Sequence, residues 1–124
     1  MKILVVDDEM DMQTLFEQRF RREIRTNEMD FAFAHSGEEA LGFLKQHNHE
    51  AVLILSDINM PGMSGLELLR EIKTRYENPP PIVMMITAYG DPENYNQAIT
   101  LGADDFLTKP IDFTLLKEKL KAIL

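Results

Sequence analysis

The sequence predicts an α/β fold: a doubly wound, five-stranded parallel sheet in the order 2-1-3-4-5, with helices on both faces in a three-layer sandwich. Three observations predict this alternating parallel architecture, and the strand order is one of the common orders of doubly wound sheets. Short aliphatic runs alternate along the chain with stretches that have the apolar spacing of helices. These runs are apolar at successive positions, as in strands that are buried on both faces. They end at polar or charged residues, as expected where parallel strands meet a ligand-binding edge.

Length and composition are those of one compact domain, which we assign to residues 1–124. The 124 residues fall in the single-domain range, and a hydrophobic content of 44% is sufficient for a core. The formal net charge of −8 argues against direct binding to nucleic acid. The chain has no cysteine, and no apolar run approaches the ~20 residues of a membrane span. We therefore expect a cytoplasmic protein that does not enter a membrane.

The first two strand–helix units are predicted from apolar spacing and a capping signal. A strand at about Lys2–Val6 precedes a helix whose apolar positions, including Phe16 and Phe20, recur every four residues. A second strand, at about Met29–Ala34, precedes a helix that begins at Ser36. A glutamate three residues after this serine completes the spacing of a capping box.

The remaining units follow the same alternation. A third strand, at about Ala51–Leu55, leads through a loop to a helix that begins near Ser64. The run Asn78–Pro81 cannot remain helical, so it ends that helix and leads into a fourth strand, Ile82–Ile86. An Asp-Pro pair begins the fourth helix. The fifth strand, at about Asp105–Thr108, precedes the last helix, and the chain shows no internal domain boundary.

Acidic residues should converge at the carboxyl edge of this sheet. Asp7 and Asp8 follow the first strand and Asp57 follows the third, and these two strands are neighbours at the switch point of the predicted order. Two like charges ~4 Å apart repel by about 4 kcal/mol at an effective dielectric constant of about 20. Mg²⁺ relieves such repulsion, and a neighbouring aspartate can then attack phosphorus. Thr87 and Lys109 would supply a hydroxyl and an ammonium group to the phosphoryl oxygens.

Four segments carry a resemblance to a known family. They are Val5–Glu9, Ser56–Gly65, Ile86–Ala88 and Gly102–Pro110, in order and at the expected separations. With these segments the chain resembles the response-regulator receiver domain of two-component signalling over essentially its whole length. The resemblance implies a flavodoxin- and CheY-like fold in a bacterial phosphorelay. It implies no enzyme activity beyond the domain's own phosphorylation and slow autodephosphorylation.

The resemblance also implies a role for each residue at the edge. Asp57 accepts a phosphoryl group from the phosphohistidine of a sensor histidine kinase or phosphotransfer protein, with Thr87 and Lys109 as phosphoryl contacts. The peptide bond between Lys109 and Pro110 is expected to be cis. The Mg²⁺ ligands that the resemblance implies are Asp8, Asp57 and the backbone carbonyl of Asn59, with Asp7 acting mainly through water.

Further positions are assigned to switching and to phosphoryl lifetime. Phe106 stands where the family has a switching aromatic residue, often a tyrosine, so a switch in this chain works by packing alone. Asn59 and Tyr89 stand where the family controls the access of water to the phosphoryl group. The implied output face is the fourth helix, fifth strand and fifth helix, at about Pro92–Leu124. The expected partners are a downstream effector domain or protein, which this face would bind, and a second copy of the chain in a homodimer.

Other residues are expected to be structural or solvated. No carboxylate pattern around His35, His47 or His49 predicts a ligand or a base, so we expect these histidines at the solvated surface. Met60 and Met63 are expected to pack the loop after the third strand against the sheet.

Three other functions share parts of this pattern. A flavin-binding electron carrier has the same fold but needs a hydroxyl- and glycine-rich phosphate loop after the first strand, where this chain has three consecutive acids. A phosphatase with an aspartyl nucleophile requires a second acid where this chain has Asn59. A non-phosphorylated interaction module of the same fold is the strongest alternative, although such modules usually lack one of the acids or the lysine. A stand-alone receiver and one joined to an output domain are both consistent with the sequence.

Overall fold

A five-stranded parallel sheet, covered by helices on both faces, organises the protein. The computed structural model describes residues 2–47, 53–75, 81–88 and 91–123. The strands are β1 (Lys2–Val6), β2 (Asp30–Ala34), β3 (Leu53–Asp57), β4 (Ile82–Thr87) and β5 (Asp105–Thr108). The helices are α1 (Asp11–Arg19), α2 (Arg21–Arg25), α3 (Gly37–Gln46), α4 (Gly65–Arg75), α5 (Pro92–Thr100) and α6 (Phe113–Ile123). The strand order is β2-β1-β3-β4-β5 and every pairing is parallel, which confirms the predicted topology.

Two strands extend further than the sequence predicts, and the extensions contain site residues. β3 continues to Asp57 and β4 to Thr87, so both side chains belong to the last position of a strand. The predicted start of the third strand, at positions 51 and 52, lies outside the described residues. Positions 78–80 of the predicted helix-ending segment also lie outside them.

The first predicted helix is two helices in the structure, α1 and α2, which meet at Phe20. The backbone torsions of Phe20 (φ −108°, ψ 21°) leave the helical region. The hydrogen bonds from the amide of Phe20 to the carbonyl of Phe16, and from Ile24 to Phe20, are nevertheless kept. Both phenylalanine rings are fully buried and stack with centroids 5.7 Å apart. The period of four therefore predicts the buried face correctly but not the change in backbone direction.

The sheet separates two hydrophobic clusters, because successive strand residues point to opposite faces. Leu4 and Val6 pack with residues of α3, α4 and α5. Ile3 and Val5 pack with residues of α1, α2 and α6. Burial on both faces explains why the strands are apolar at successive positions rather than at alternate ones. It also fixes the register, so the first polar residue after each strand is delivered to the same edge of the sheet.

Capping side chains begin three helices at the predicted positions. Ser36 Oγ accepts a hydrogen bond of 3.0 Å from the amide of the glutamate three residues further on, at the start of α3. Ser64 Oγ accepts the equivalent bond, of 3.2 Å, at the start of α4. Asp91 caps α5 by accepting a hydrogen bond of 3.3 Å from the amide of Asn94. Each cap follows a loop that leaves the carboxyl edge of the sheet, and it fixes where that loop ends.

Within the described ranges, no helix is both long and apolar enough to cross a bilayer. The longest of them, α4 and α6, have 11 residues each, against the ~20 that a membrane span requires.

Candidate functional site

Three carboxylates from two neighbouring strands meet at the carboxyl edge of the sheet. Asp7 and Asp8 directly follow β1, and Asp57 ends β3, whose preceding residue Ser56 pairs with Val6. One carboxylate oxygen from each aspartate lies within 4.8 Å of the other two. Asp7 and Asp57 are 2% and 3% exposed, whereas Asp8 is exposed. The three acids come together as predicted, in a cluster that could hold a metal ion.

Asp7 has one satisfied and one unpartnered carboxylate oxygen. Its Oδ1 accepts a hydrogen bond of 2.9 Å from the amide of Glu9, whereas its Oδ2 is buried without a hydrogen-bond partner among the described residues. Burial raises the pKa of Asp7; the bond from Glu9 opposes this rise, and the charge of Asp57 adds to it. A buried acceptor without a donor costs stability, and a cation or its water satisfies it. The all-carboxylate donor set therefore fits a hard cation such as Mg²⁺.

A lysine forms an ion pair with Asp57, one of the two buried acids. Lys109 Nζ donates a hydrogen bond of 2.8 Å to Asp57 Oδ2, and the two side chains are 32% and 5% exposed. Partial burial alone would lower the pKa of Lys109, but the hydrogen bond and charge of Asp57, with the charges of Asp7 and Glu9, raise it overall. Lys109 is therefore protonated at neutral pH. Its peptide bond to Pro110 is cis, as predicted.

The two remaining predicted site residues lie beside this pair. β3 and β4 are in register with Asp57 opposite Ile86, so Thr87 is one position further along β4, and it is buried with 4% exposure. The carbonyl of Thr87 accepts a hydrogen bond of 2.8 Å from the amide of Lys109, which joins the ends of β4 and β5. Asn59 is exposed, and its amide lies 3.4 Å from Asp57 Oδ1.

The predicted switching residue has a contact that the sequence did not reveal. Phe106 is half-buried on β5, and its ring packs against Tyr95 of α5 with centroids 4.4 Å apart. Helical spacing does not show which exposed residue of α5 faces β5. The face formed by α5, β5 and α6 also exposes the large apolar side chains of Ile99 and Leu115. Tyr89 lies outside the described residues.

Histidine 35 is a residue near the site that sequence reasoning missed. It is half-buried rather than solvated, and its Nδ1 lies 3.3 Å from the backbone carbonyl oxygen of Asp7. The available signal was its position at the end of β2, directly beside β1, and not any motif around it. His47 is also half-buried, and its ring stacks on Phe43 with centroids 4.7 Å apart. His49 lies outside the described residues.

Replacing Asp7 by asparagine should stabilise the metal-free protein at neutral pH. Asparagine keeps an oxygen acceptor for the amide of Glu9 and removes the buried charge. A carboxyl group with a raised folded-state pKa adds stability only while protonated: the contribution is complete below the unfolded-state pKa, about 4, and is lost as pH rises through the folded-state pKa. In chelator, we expect a melting temperature a few degrees above wild type at about pH 7.5, and a smaller difference toward about pH 4.

The matched control for this variant is Asp30→Asn, which removes an exposed carboxylate that pairs with Lys2 at 2.9 Å. It should not raise the melting temperature. Mg²⁺ should stabilise wild type more than Asp7→Asn, because binding to the folded state alone stabilises by mass action. An Asp7→Asn protein that melts below wild type in chelator at about pH 7.5 would contradict the proposed charge repulsion.

Comparisons with known proteins give matches along nearly the whole chain. The family model described as response regulator receiver domain matches residues 3–121. The chain is 33% identical to Response regulator RppA of Synechocystis sp., over 99% of its own length and 50% of that protein. It is 39% identical to Response regulator protein PilR of Pseudomonas aeruginosa, over 94% of its own length and 24% of that protein. The chain thus spans half or less of the length of these two relatives.

Solved structures match the same length of chain. A signal receiver domain of a signal transduction histidine kinase from Syntrophus aciditrophicus superposes with a TM-score of 0.83 at 28% identity, covering 99% of this chain and 89% of that one. The chemotaxis protein CheY4 of Vibrio cholerae superposes with a TM-score of 0.82 at 26% identity, covering 99% and 98% of the two chains.

Proposed function

The chain belongs to the response regulator receiver domain family, and from this premise we propose that residues 1–124 form the phosphoacceptor domain of a two-component phosphorelay. Asp57 takes a phosphoryl group from the phosphohistidine of a sensor kinase or phosphotransfer protein. The face formed by α5, β5 and α6 then changes its contacts with an output domain, an effector protein or a second copy. One observation carries the proposal: a buried carboxylate, an acid cluster able to hold a cation and a paired lysine share one pocket.

The proposed transfer is a single displacement at phosphorus. A carboxylate oxygen of Asp57 forms the new O–P bond while the P–N bond to the donor imidazole breaks. The departing imidazole nitrogen keeps the electron pair of that bond and takes up a proton from solvent. Asp57 supplies the electron pair, so it must react as the carboxylate. The ammonium group of Lys109, 2.8 Å from Asp57 Oδ2, offsets the negative charge of that carboxylate as the phosphoryl group approaches.

The surrounding residues stabilise the charge that develops on the phosphoryl oxygens. Lys109 exchanges its bond to Asp57 for a bond to a phosphoryl oxygen, and the Thr87 hydroxyl donates to another. When bound, Mg²⁺ supplies positive charge that makes the acid cluster compatible with an incoming phosphoryl group. The residues that would hold it are Asp8, Asp57, the backbone carbonyl of Asn59 and, mainly through water, Asp7. The retention of all three acids and the lysine favours this function over a non-phosphorylated interaction module.

The test is phosphorylation of the wild-type protein with a cognate kinase or with acetyl phosphate. We expect intact-mass spectrometry to show one added phosphoryl group with Mg²⁺ present, and peptide mapping to place it on Asp57. Excess chelator should reduce the label to background. Labelling that is indifferent to chelator, or that maps away from the pocket, would reject the proposal.

We further propose that Thr87 and Phe106 transmit the modification. A phosphoryl group on Asp57 offers the Thr87 hydroxyl a charged acceptor, and a small inward movement of Thr87 vacates space beside β5. Phe106 can then repack, and Tyr95 must follow, because the two rings are packed 4.4 Å apart. Packed side chains change between discrete arrangements rather than continuously, so a small movement in the pocket alters the surface of α5, β5 and α6.

Thr87→Ala should therefore accept phosphate at Asp57 without transmitting the change. With beryllofluoride as phosphoryl mimic, wild-type backbone NMR shifts should change across residues 92–123, and in Thr87→Ala they should be confined to the pocket. The matched control is Thr108→Ala, which removes the exposed threonine that pairs with Thr87 across the sheet. With beryllofluoride, the control should show NMR shift changes across residues 92–123, as wild type does. Equally wide shifts in Thr87→Ala would mean that the coupling does not use this hydroxyl.

A further inference from the structure

The start of α3 contacts both loops that surround the acid pocket, although it contributes no acid to it. We call residues 35–38 the α3 brace. On one side His35 contacts Asp7, in the loop after β1. On the other side Glu38 contacts Met63, in the loop that joins β3 to α4.

Residues at the end of β2 contact the backbone of Asp7 at both its amide and its carbonyl group. Its amide donates a hydrogen bond of 3.1 Å to the carbonyl of Ala34, and its carbonyl oxygen lies 3.3 Å from His35 Nδ1. The amide of His35 in turn donates a bond of 2.8 Å to Glu39 Oε2, within the capping structure of α3. One of the two contacts that hold the backbone of Asp7 therefore comes from the α3 brace, through His35.

The loop after β3 is held by the other end of the α3 brace. Glu38 Oε1 accepts a hydrogen bond of 3.2 Å from the amide of Met63. The backbone of Gly37 lies against the Met63 side chain so closely that an added Cβ would be 2.8–3.0 Å from its Cβ, Cγ and Sδ atoms. This loop also contains Asn59 and begins directly after Asp57. The α3 brace therefore contacts this loop and the loop of Asp7 at once, in addition to the direct pairing of β1 with β3.

We propose that Glu38 and His35 are positioning residues for the cation site, which hold the loop that carries Asp7 and Asp8 and the loop that follows Asp57 in the positions that a bound cation requires. The inference rests on the proposed function and adds to it how the site is preorganised. Carboxylates within 4.8 Å of one another repel when no cation is bound, and Asp7 and Asp8 lie beyond the end of β1, so contacts from outside the cluster help to hold their loop in place. When a residue that contacts a metal ligand and orients it is removed, metal affinity commonly falls by about 10–100-fold.

A charge effect or a helix effect would give Glu38 a different role. Glu38 lies in the first turn of α3, where a negative charge also favours the helix dipole. Glutamine separates these possibilities, because its Oε1 can still accept from the Met63 amide although the charge is gone. The corresponding variant at position 35 is His35→Asn. It removes the imidazole ring, but its side-chain NH₂ group can still donate to the Asp7 carbonyl from nearly the position of Nδ1.

The experiment measures Mg²⁺ affinity by amide NMR titration, and the hydrogen exchange rate of the Met63 amide, in the full chain. Glu38→Ala should weaken Mg²⁺ binding about tenfold and accelerate exchange at Met63, and Glu38→Gln should restore both to within about twofold of wild type. His35→Ala and His35→Asn should form a second pair with the same pattern in Mg²⁺ affinity. At saturating Mg²⁺, the phosphorylation rate of the alanine variants should approach that of wild type. The matched control is Glu93→Ala, which removes a first-turn glutamate from α5 and should leave the affinity unchanged.

Two results would overturn the inference. One is a Glu38→Ala protein that binds Mg²⁺ as wild type does. The other is equal weakening by alanine and glutamine, which would assign the effect to charge. A wild-type protein that binds no Mg²⁺ and accepts no phosphate would instead overturn the proposed function together with this inference, and the wild-type titration and labelling identify that case on their own.

Discussion

The Asp57→Asn protein should take up no phosphoryl group under conditions that label the wild type fully. An amide oxygen is a poor nucleophile and the acyl phosphate cannot form on it, so the loss should be complete rather than partial. Asparagine is almost the same size as aspartate, and its Oδ1 can still accept from Lys109 Nζ, which lies 2.8 Å from Asp57 Oδ2 in the wild type. The fold should therefore be kept, and intact-mass spectrometry with Mg²⁺ and a phosphodonor should show the unmodified mass alone.

Asp105→Asn is the matched control for this variant. Asp105 lies on β5 and pairs with Lys119 at 2.8 Å, the same distance as the pair in the pocket. The Asp105→Asn protein loses an ion pair of the same length but should label as wild type does. Undiminished labelling of Asp57→Asn, or a label that maps to Asp7 or Asp8, would assign the nucleophile to another carboxylate.

Gly65→Ala should destabilise the protein by about 3 kcal/mol, equivalent to a fall of roughly 10 °C in the melting temperature. A Cβ atom on Gly65 would collide with the carbonyl oxygen of Asp57 and lie 2.7 Å from the Cα atom of Ile58. These are backbone atoms, and they are held in place. The amide of Gly65 donates a hydrogen bond of 2.7 Å to the carbonyl oxygen of Ile58. The amide of Ile58 in turn donates a hydrogen bond of 3.1 Å to the carbonyl oxygen of Ile86 of β4. The collision is relieved only by moving the loop away from β3, so Mg²⁺ affinity should fall as well.

Gly42→Ala is the matched control, and it should raise stability where Gly65→Ala lowers it. Gly42 lies within α3, is exposed, and an added Cβ would have no neighbour within 4 Å. Alanine there should stabilise the protein by about 0.5–1 kcal/mol, because glycine loses more backbone entropy on entering a helix. Thermal unfolding in chelator measures both variants. A Gly65→Ala protein that melts within about 2 °C of wild type would show that the close approach to Asp57 is not required.

Much of the site was predictable because parallel strands impose a simple geometry. Uninterrupted aliphatic runs mark strands that are buried on both faces, and such strands place their carboxyl ends at one edge. Asp7, Asp8 and Asp57 could therefore be brought together without knowledge of any contact between them. The helix starts at Ser36 and Asp91 were also predictable, because a cap is formed by residues only three positions apart in the sequence.

The sequence by itself determined the strands and the set of residues at the carboxyl edge of the sheet, because these depend on hydrophobic runs along the chain, and the resemblance of four segments to a known family implied the strand order. Only the tertiary structure decided which of two adjacent aspartates has a buried carboxylate oxygen without a partner among the described residues, since Asp7 and Asp8 have the same chemistry. It also decided the bend at Phe20, the contact of Tyr95 with Phe106 and the support of the pocket by the α3 brace. Glu38 and Met63 are 25 residues apart, and His35 and Asp7 are 28 apart. Such contacts depend on how separate elements pack, and no local pattern encodes that packing.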